Sequence, residues 1–298
     1  MNIIKPHVEW WPQKTIAQQI ARVGRICYKS AGRQPPEKLG AAERETFIQK
    51  RDERRCMEFW DSGHKSMLRH GSVYFFIPSD EGLPKNLWTF FEASPYISYV
   101  TQKGKMWLST NVQFLLDHPY SQYILDPHQV TEQEFIDEAL KYKCEEALYL
   151  LRMTMVITTQ ISISRELNRA SPNAISEQST RYCNLEKKGG VQIAEPQWYQ
   201  DGTWWQRFLY RTGCKVGEWV YGLLLKSGLK AQNARGVLPL DTYTVVAYTY
   251  SIQEWAHILY LRYHEKTGKA HPDAKAVASD IRSIIMNRMA QYISKFDI

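Results

Sequence analysis

Apolar residues recur at helical spacing near the start of the chain. Ile16, Ile20 and Val23 lie three or four residues apart within residues 13–30, which predicts an amphipathic helix there. A second helix is predicted over residues 41–61, where a Ser-Gly pair ends the pattern. The chain therefore begins with two helices joined by a polar loop.

Strand patterns are few, and helical patterns dominate the rest of the chain. Ser72–Ile77 and the segment MTMVITT at 153–159 are rich in β-branched or aromatic residues and predict strands. Capping signals predict a short helix after Ser109-Thr110 and another after Thr131, with Glu134 completing a capping box. A further helix is predicted in ISISRELNRA, which Pro172 ends. Apolar periodicity predicts three more helices, over residues 203–229, 250–264 and 273–292. We therefore predict one compact α/β or α+β domain over residues 1–298, with a small central sheet flanked by helices.

The composition is that of an ordinary globular protein. Of the 298 residues, 44% are hydrophobic and 23% are charged. No apolar run approaches the ~18 residues that a membrane helix needs, and the N-terminal segment lacks the pattern of a secretion signal. We expect a cytoplasmic protein without a membrane partner.

The cysteines and histidines give no metal signature. The five cysteines are widely spaced and never form a CxxC pair, a pattern typical of a reducing compartment: Cys27, Cys56, Cys144, Cys183 and Cys214. In SGHKSMLRH, His64 and His70 lie six residues apart, which is not the i, i+4 spacing of a paired metal site on a helix. We expect neither a disulfide framework nor a bound metal.

The chain is basic, with a formal charge of +7 and a pI of about 9.0. Such a charge suits nucleic acid or phosphorylated small molecules. The basic residues form no long tract, because RDERR at 51–55 mixes both signs and EKK at 186–188 is short. Nucleic acid is therefore not an expected partner.

Hydrogen-bond donors are concentrated in SEQSTRYCN, residues 176–184. Hydroxyls and arginine forks together suit phosphate oxygens. Further cations stand near this stretch or in later segments, namely Arg165, Arg169, Arg181, Arg235 and Arg262. The pattern predicts a pocket for a phosphorylated ligand, although helix caps and a filled turn would explain the same residues without one.

Two of these residues lie in apolar surroundings. Arg235 precedes V-L-P and is expected near buried surface. Arg262 ends the run IQEWAHILYLR, so it needs an anionic or carbonyl partner. His257 in the same run is expected to be a core residue.

Five ordered segments resemble the flavin-dependent thymidylate synthases, the ThyX family. They are ARVGRICYKS, FWDSGHKSMLRHGSVYF, SRELNRASPNAISEQSTRYCN, NARGVLPLDTYT and WAHILYLRYHEKTGKAHPDA. The second is similar to the family's GHxSxxEH segment, the third to RHRxxSxxxxSxRY, and the fourth to ARxxLP. Residues near 84–140 resemble an insertion of a longer branch of the family.

The resemblance implies reductive methylation of dUMP to dTMP. Methylenetetrahydrofolate would give the carbon and NADPH the hydride, which FAD would relay, without a cysteine nucleophile. It also implies a homotetramer with active sites at subunit interfaces.

Site residues follow from the same resemblance. Arg262 is implied as the catalytic cation that polarises the uracil. The implied dUMP contacts are Glu166, Arg169, Glu177, Gln178, Ser179, Thr180, Arg181, Arg235 and Arg262. The implied FAD contacts are His64, Ser66, Arg69, Arg169, Glu177 and His257.

The chain departs from the family pattern on the flavin side. Where the family has R-H-R, this chain has Arg169, Ala170 and Ser171. Arg69 stands where a glutamate is common, and could compensate for the missing cation. A lost arginine removes a charge-assisted hydrogen bond worth about 1.5–3 kcal/mol, so weakened FAD binding is expected.

These departures leave alternatives open. Hydroxymethylation of a pyrimidine nucleotide would need one carbon but no net reduction. The chain could instead be a nucleotide-binding relative without catalysis, or an inactivated variant. A nucleic-acid-binding protein would show an affinity that falls steeply with salt.

Overall fold

Most strands of the molecule belong to two four-stranded sheets. The computed structural model describes residues 2–30, 32–79, 83–169, 174–294 and 296–298. Within them the strands are β1 (Asn2–Ile4), β2 (His7–Trp10), β3 (Ser72–Ile77), β4 (Ser98–Gln102), β5 (Lys105–Asn111), β6 (Gln129–Val130), β7 (Arg152–Gln160), β8 (Ala174–Glu177), β9 (Gln192–Ala194) and β10 (Tyr243–Ser251).

Helices surround these sheets. Within the same residues they are α1 (Ile16–Tyr28), α2 (Ala41–Asp61), α3 (Lys85–Ala93), α4 (Val112–Asp117), α5 (Pro119–Leu125), α6 (Glu132–Lys141), α7 (Glu145–Leu148), α8 (Ile161–Leu167), α9 (Trp198–Asp201), α10 (Trp204–Lys226), α11 (Ala231–Ala234), α12 (Ile252–Arg262) and α13 (Pro272–Met289). The mixed helix-and-sheet class predicted from the sequence is confirmed, with two main sheets in place of one.

The first sheet has the antiparallel order β2-β7-β10-β8. Its β7 and β10 are buried on both faces. Met155 and Tyr248 point towards the main core with α12 and α13, whereas Val156 and Ala247 pack against Val23 of α1. The predicted strand at 153–159 is confirmed as β7. The sequence analysis missed β10, because burial on both faces removes the alternation of apolar and polar residues.

The second sheet has the order β4-β5-β3-β6. β3 occupies the predicted Ser72–Ile77 range, and the predicted short helix is α4, which begins after the Asn111 N-cap. The strands β4 and β5 were not predicted from the sequence. Ser109 and Thr110, which were interpreted as the start of a helix, lie in β5 and are buried. The remaining strands β1 and β9 form a separate parallel pair.

Several helices begin at a side-chain cap. Thr15, Thr131, Thr203 and Ser251 each accept a hydrogen bond from a backbone N–H in the first turn. The predicted helices α1, α2, α6, α10, α12 and α13 are confirmed to within a few residues at each end. The proposed helix stop at Pro172 lies outside the described residues.

Helix α10 is apolar on two opposite sides. One side packs Tyr210, Cys214 and Tyr221 into a small core. The other, which we call the α10 outer face, consists of side chains that are 45% to 69% exposed: Trp204, Trp205, Phe208, Leu209, Val216, Trp219 and Leu223. A helix with a single buried side would carry polar groups there.

A chain of buried polar side chains crosses the interface between α1 and the first sheet. Gln19 Nε2 donates to Thr154 Oγ1 at 2.6 Å, and Thr154 Oγ1 lies 2.7 Å from Thr249 Oγ1. His70 Nδ1 lies 2.8 Å from Thr249 Oγ1, and its side chain is fully buried. Burial, followed by the nearby charges of Arg152 and Arg69, lowers the pKa of His70 to about 3. We call this set the buried polar chain.

The buried His70 predicts a specific dependence of stability on pH. Its pKa is near 6.5 in the unfolded chain, so below that pH the unfolded state binds a proton that the native state does not. This contribution to stability is present above pH 6.5 and decreases as the pH falls towards 3. Between pH 7 and 5 the wild type should lose about 2 kcal/mol through His70. His70→Gln should lose correspondingly less in urea unfolding at the two pH values.

The exposed His264 provides a matched control. His264→Gln should keep the wild-type pH dependence. Equal losses in His70→Gln and wild type would contradict the prediction.

Candidate functional site

The turn that follows β8 is fixed at its start by two backbone hydrogen bonds to other elements. Gln178 N donates to Val245 O at 2.8 Å, and Ser179 N donates to Cys27 O at 3.0 Å. Within the turn, Arg181 N donates to Ser179 Oγ at 3.2 Å. We call residues 177–182 the β8 turn. Its position is set jointly by β10 and by the end of α1.

Not every donor of this stretch faces solvent. Ser176 lies within β8, is buried, and donates to Val23 O at 3.4 Å. The side chain of Gln178 is also largely buried. The prediction of a row of ligand donors therefore fails for Ser176, which the pairing of β8 with β10 places in the core.

Glu177 is a partly buried carboxylate at the end of β8. Its Oε1 accepts hydrogen bonds from Ser164 Oγ at 2.7 Å and from Thr244 Oγ1 at 2.9 Å. Both hydroxyls come from buried residues of neighbouring elements. Burial, and next the charge of Glu177, raise the pKa of Tyr248 well above its usual value. Glu177 thus joins α8, β8 and β10 at one point.

A cleft of about 280 Å³ opens on one side of the β8 turn. Arg165, Thr180 and Arg235 bring its polar groups, and Arg235 Nη1 donates to Thr180 Oγ1 at 2.8 Å. Ile161 and Leu238 contribute apolar walls. We call it the arginine cleft. Two guanidinium groups beside a hydroxyl can bind a phosphate or a similar anion.

Arg235 itself is exposed. The expectation that it lies near buried surface is confirmed, because its neighbour Ala234 is buried and Leu238 packs against the same small core, although residues 235–237 are themselves exposed. Arg165 was noted as a flanking cation, but the family motif did not assign it to the site. No sequence signal links it to Arg235, since the two are brought together only by the fold.

Arg262 and Glu166 form a second contact between predicted site residues. Arg262 Nη1 lies 3.5 Å from Glu166 Oε2, and its Nη2 donates to Glu166 O at 3.1 Å. The expectation that Arg262 needs an anionic or carbonyl partner is confirmed, since Glu166 supplies both. The pair joins the last residue of α12 to α8. It presents a guanidinium group that is partly open to solvent.

The candidate flavin contacts are spread over several elements. His64 and Ser66 are exposed, and His64 Nδ1 lies 3.3 Å from Ser62 Oγ. Arg69 donates from Nε to Gln113 Oε1 at 2.8 Å, and its guanidinium carbon lies 4.5 Å from the centroid of the Tyr96 ring. His257 is exposed on α12, so the expectation of a core histidine was wrong. Arg169 is exposed, whereas Ala170 and Ser171 lie outside the described residues.

Burial disfavours the reactive thiolate form of four of the five cysteines. All five cysteines are free. Burial raises the pKa of the Cys27, Cys144 and Cys214 thiols, and raises that of Cys56 to about 12. A reactive cysteine needs the opposite shift.

A family model described as Thymidylate synthase complementing protein, or Thy1, matches residues 105–289, which is more than half of the chain. The chain belongs to the Thy1 family. The resemblance drawn from the five sequence segments is thereby confirmed.

Similar proteins are known from a virus and from a bacterium. A probable flavin-dependent thymidylate synthase of Paramecium bursaria Chlorella virus 1 is 26% identical over 144 residues, which are 43% of this chain and 65% of the viral protein. This chain therefore spans less than two thirds of that relative's length. Two structures of the UMP/dUMP methylase PolB from Streptomyces cacaoi, bound with 5-Br dUMP and 5-Br UMP, each cover 51% of this chain. Their identities are 21% and 23%, their TM-scores are 0.41 and 0.40, and 74% and 75% of the PolB chains are covered.

The Thy1 match begins inside the segment that we interpret as an insertion. Residues 84–140 hold α3 to α6 and most of the second sheet. That this segment is specific to one branch of the Thy1 family stays a prediction.

No group of three or more His, Cys, Asp or Glu side chains is placed to hold a metal ion in the parts of the chain that the structure describes. None of the helices described here is both long and apolar enough to cross a bilayer.

Proposed function

We propose that this Thy1 protein binds dUMP and methylates it reductively to dTMP, with methylenetetrahydrofolate, NADPH and FAD. The observation that carries the proposal is the arginine cleft beside the β8 turn. The cleft holds Arg165 and Arg235, and the turn holds the family residues Glu177 to Arg181. A nucleotide monophosphate offers the anion that such a cleft requires.

In this proposal the phosphate of dUMP lies in the arginine cleft. Arg235 and Arg165 would bind its oxygens, and the Thr180 hydroxyl, now paired with Arg235, would donate to it. The hydroxyl of Ser179 stabilises the turn by accepting from Arg181 N. Arg169 and Gln178 stay predicted contacts of the nucleotide. The proposal places no step on a cysteine.

Arg262 would act on the uracil ring. A cation beside the ring stabilises negative charge on its carbonyl oxygens as the C5 atom becomes nucleophilic. The carboxylate and the backbone carbonyl of Glu166 both contact Arg262 and fix the direction of its guanidinium group. A preoriented cation needs little rearrangement during reaction.

The described residues fit FAD in part. His64 and Ser66 offer exposed polar groups on a turn that packs beside β8, and Glu177 ends that strand. Arg69, the arginine of this turn, contacts Gln113 and Tyr96. When bound, FAD would relay a hydride between NADPH and the transferred carbon. Because Arg69 already contacts Gln113 and Tyr96, it is less available to compensate for the missing flavin cation. This favours, as a second candidate, hydroxymethylation of the nucleotide without net reduction.

Self-association to a homotetramer is part of the proposal. The four aromatic side chains of the α10 outer face would leave on the order of 450 Å² of ring surface in solvent. That area alone is comparable to the largest apolar patch of a typical monomer, about 300–600 Å². We propose that a second copy of the chain covers this face. Cytoplasmic localisation also stays a prediction.

Removing Arg235 should weaken dUMP binding through the phosphate. Arg235→Ala removes a charge-assisted contact worth about 1.5–3 kcal/mol, so the Kd for dUMP should rise about 10- to 150-fold by calorimetry. Deoxyuridine, which has no phosphate, should bind both proteins equally. Arg44→Ala, at an exposed position on α2, is the control and should leave both ligands unaffected. An unchanged Kd for dUMP would refute the assignment of the phosphate to the arginine cleft.

The flavin is tested by restoring the family residues. We expect Ala170→His combined with Ser171→Arg to increase the visible flavin absorbance that the protein retains after incubation with FAD and gel filtration. The added cation would supply a diphosphate contact that the natural chain lacks. Unchanged retention, with dUMP binding intact, would favour hydroxymethylation or a flavin site built differently.

Substitution on the α10 outer face should reduce the assembly state. Trp219→Asp with Phe208→Asp places charges in the proposed interface, so light scattering coupled to size exclusion should show a smaller species than the wild type. Tyr123→Asp, at an 80% exposed residue outside α10, should leave the mass unchanged. A monomeric wild type would contradict both the tetramer and this interface.

A further inference from the structure

A second cleft, separate from the arginine cleft, also borders the β8 turn. Its volume is about 600 Å³, and it is formed by the turn, the end of α10 and residues 229–232. Four cations line it: Arg181, Lys187, Lys226 and Lys230. We call it the lysine cleft. Arg181 connects it to the proposed nucleotide site.

The charge of this cleft is not balanced by the protein itself. Glu186 is the carboxylate among the cleft residues, so four cations face one anion. Among the residues that the structure describes, none of the four cations forms an ion pair with a carboxylate. Lys226 is stabilised by the C-terminal end of α10, but Lys187 and Lys230 lie outside that helix. Their repulsion would be relieved by a ligand that carries several negative charges.

The other lining residues indicate which uncharged groups the ligand carries. Leu225 and Leu229 give the cleft apolar surface, and the ring of Tyr182 is 64% exposed beside it. Three of the four cations are exposed lysines, which act as flexible point charges and not as rigid forks for one phosphate. Such a surface suits carboxylates separated by methylene groups and attached to an aromatic ring.

We propose that the lysine cleft binds the poly-γ-glutamate tail of the folate co-substrate. The inference rests on the proposed function, which requires a folate that reaches the nucleotide site at the β8 turn. The tail carries one carboxylate per glutamate on short aliphatic spacers, and it follows an aromatic ring. Lys187, Lys226 and Lys230 bind the carboxylates, while Leu225 and Leu229 contact the methylene groups.

The test uses a fluorescently labelled penta-γ-glutamate peptide as the probe, measured by anisotropy on the full-length protein. Lys187→Ala, Lys226→Ala and Lys230→Ala are combined in one variant. Three exposed ion pairs together should be worth about a tenfold change in Kd, and the wild-type affinity should fall with added salt. In the same variant the preference for pteroylpentaglutamate over pteroylmonoglutamate should disappear.

The control removes the same charge elsewhere. Lys38, Lys50 and Lys269 are also exposed, and replacing all three with alanine should leave peptide binding unchanged. No peptide binding by the wild type, or equal losses in both triple variants, would overturn the proposal. Lysine-dependent binding of oligo(dT) in place of the peptide would also overturn it, in favour of nucleic acid.

Binding of dUMP is measured in parallel and separates the two claims. If the protein binds dUMP but not the peptide, the tail site fails and the proposed function stands. If the protein binds neither dUMP nor pteroylmonoglutamate, the proposed function fails, and the tail assignment fails with it.

Discussion

The pairing of β7 with β10 is the constraint on which the candidate site depends. Nine residue pairs join the two strands, from Tyr243 and Gln160 to Ser251 and Arg152. Each end of this ladder leads directly into a site element. α8 leaves the end of β7 with Glu166, and α12 leaves the end of β10 with Arg262. A shift of one residue in this register would turn buried side chains to the opposite face and separate these groups.

Three polar groups near the β8 turn are already hydrogen-bonded within the protein before any ligand binds. Thr180 accepts from Arg235, Glu166 accepts from Arg262, and Glu177 accepts from two hydroxyls. A ligand would therefore exchange existing hydrogen bonds for stronger ones to its own charge. This arrangement limits the loss of side-chain freedom on binding. These hydrogen bonds also restrict the side-chain conformations of Arg235 and Arg262.

The sequence allowed the prediction of helix boundaries better than of strands. A capping side chain such as Thr203 or Ser251 acts over four residues, so it can be recognised locally. β10 and β8 were missed because their signals depend on partners far away in the chain. Ser176 looked like a ligand donor until its pairing with β10 placed it in the core.

The candidate site divides in the same way. The family motifs identified Thr180, Arg235, Glu166 and Arg262 one by one. The structure brings Thr180 into contact with Arg235, and Glu166 into contact with Arg262. Arg165 and the lysines of the second cleft have no motif. Their proximity results from the packing of α8, α10 and the β8 turn, which no short sequence window contains. The exposure of Arg235 and His257 likewise follows from which side of a turn or helix meets the core.

The buried polar chain limits how this sequence can change over evolutionary time. Gln19, Thr154, Thr249 and His70 come from four separate parts of the chain, and each satisfies a neighbour that water cannot reach. Replacing Thr154 with an apolar residue would leave Gln19 Nε2 without its partner, and replacing Thr249 would do the same to His70 Nδ1, each at a cost of about 1–3 kcal/mol. A wholly apolar set of the same shape would avoid that cost, but no single substitution leads to it. These four positions should therefore covary among related sequences.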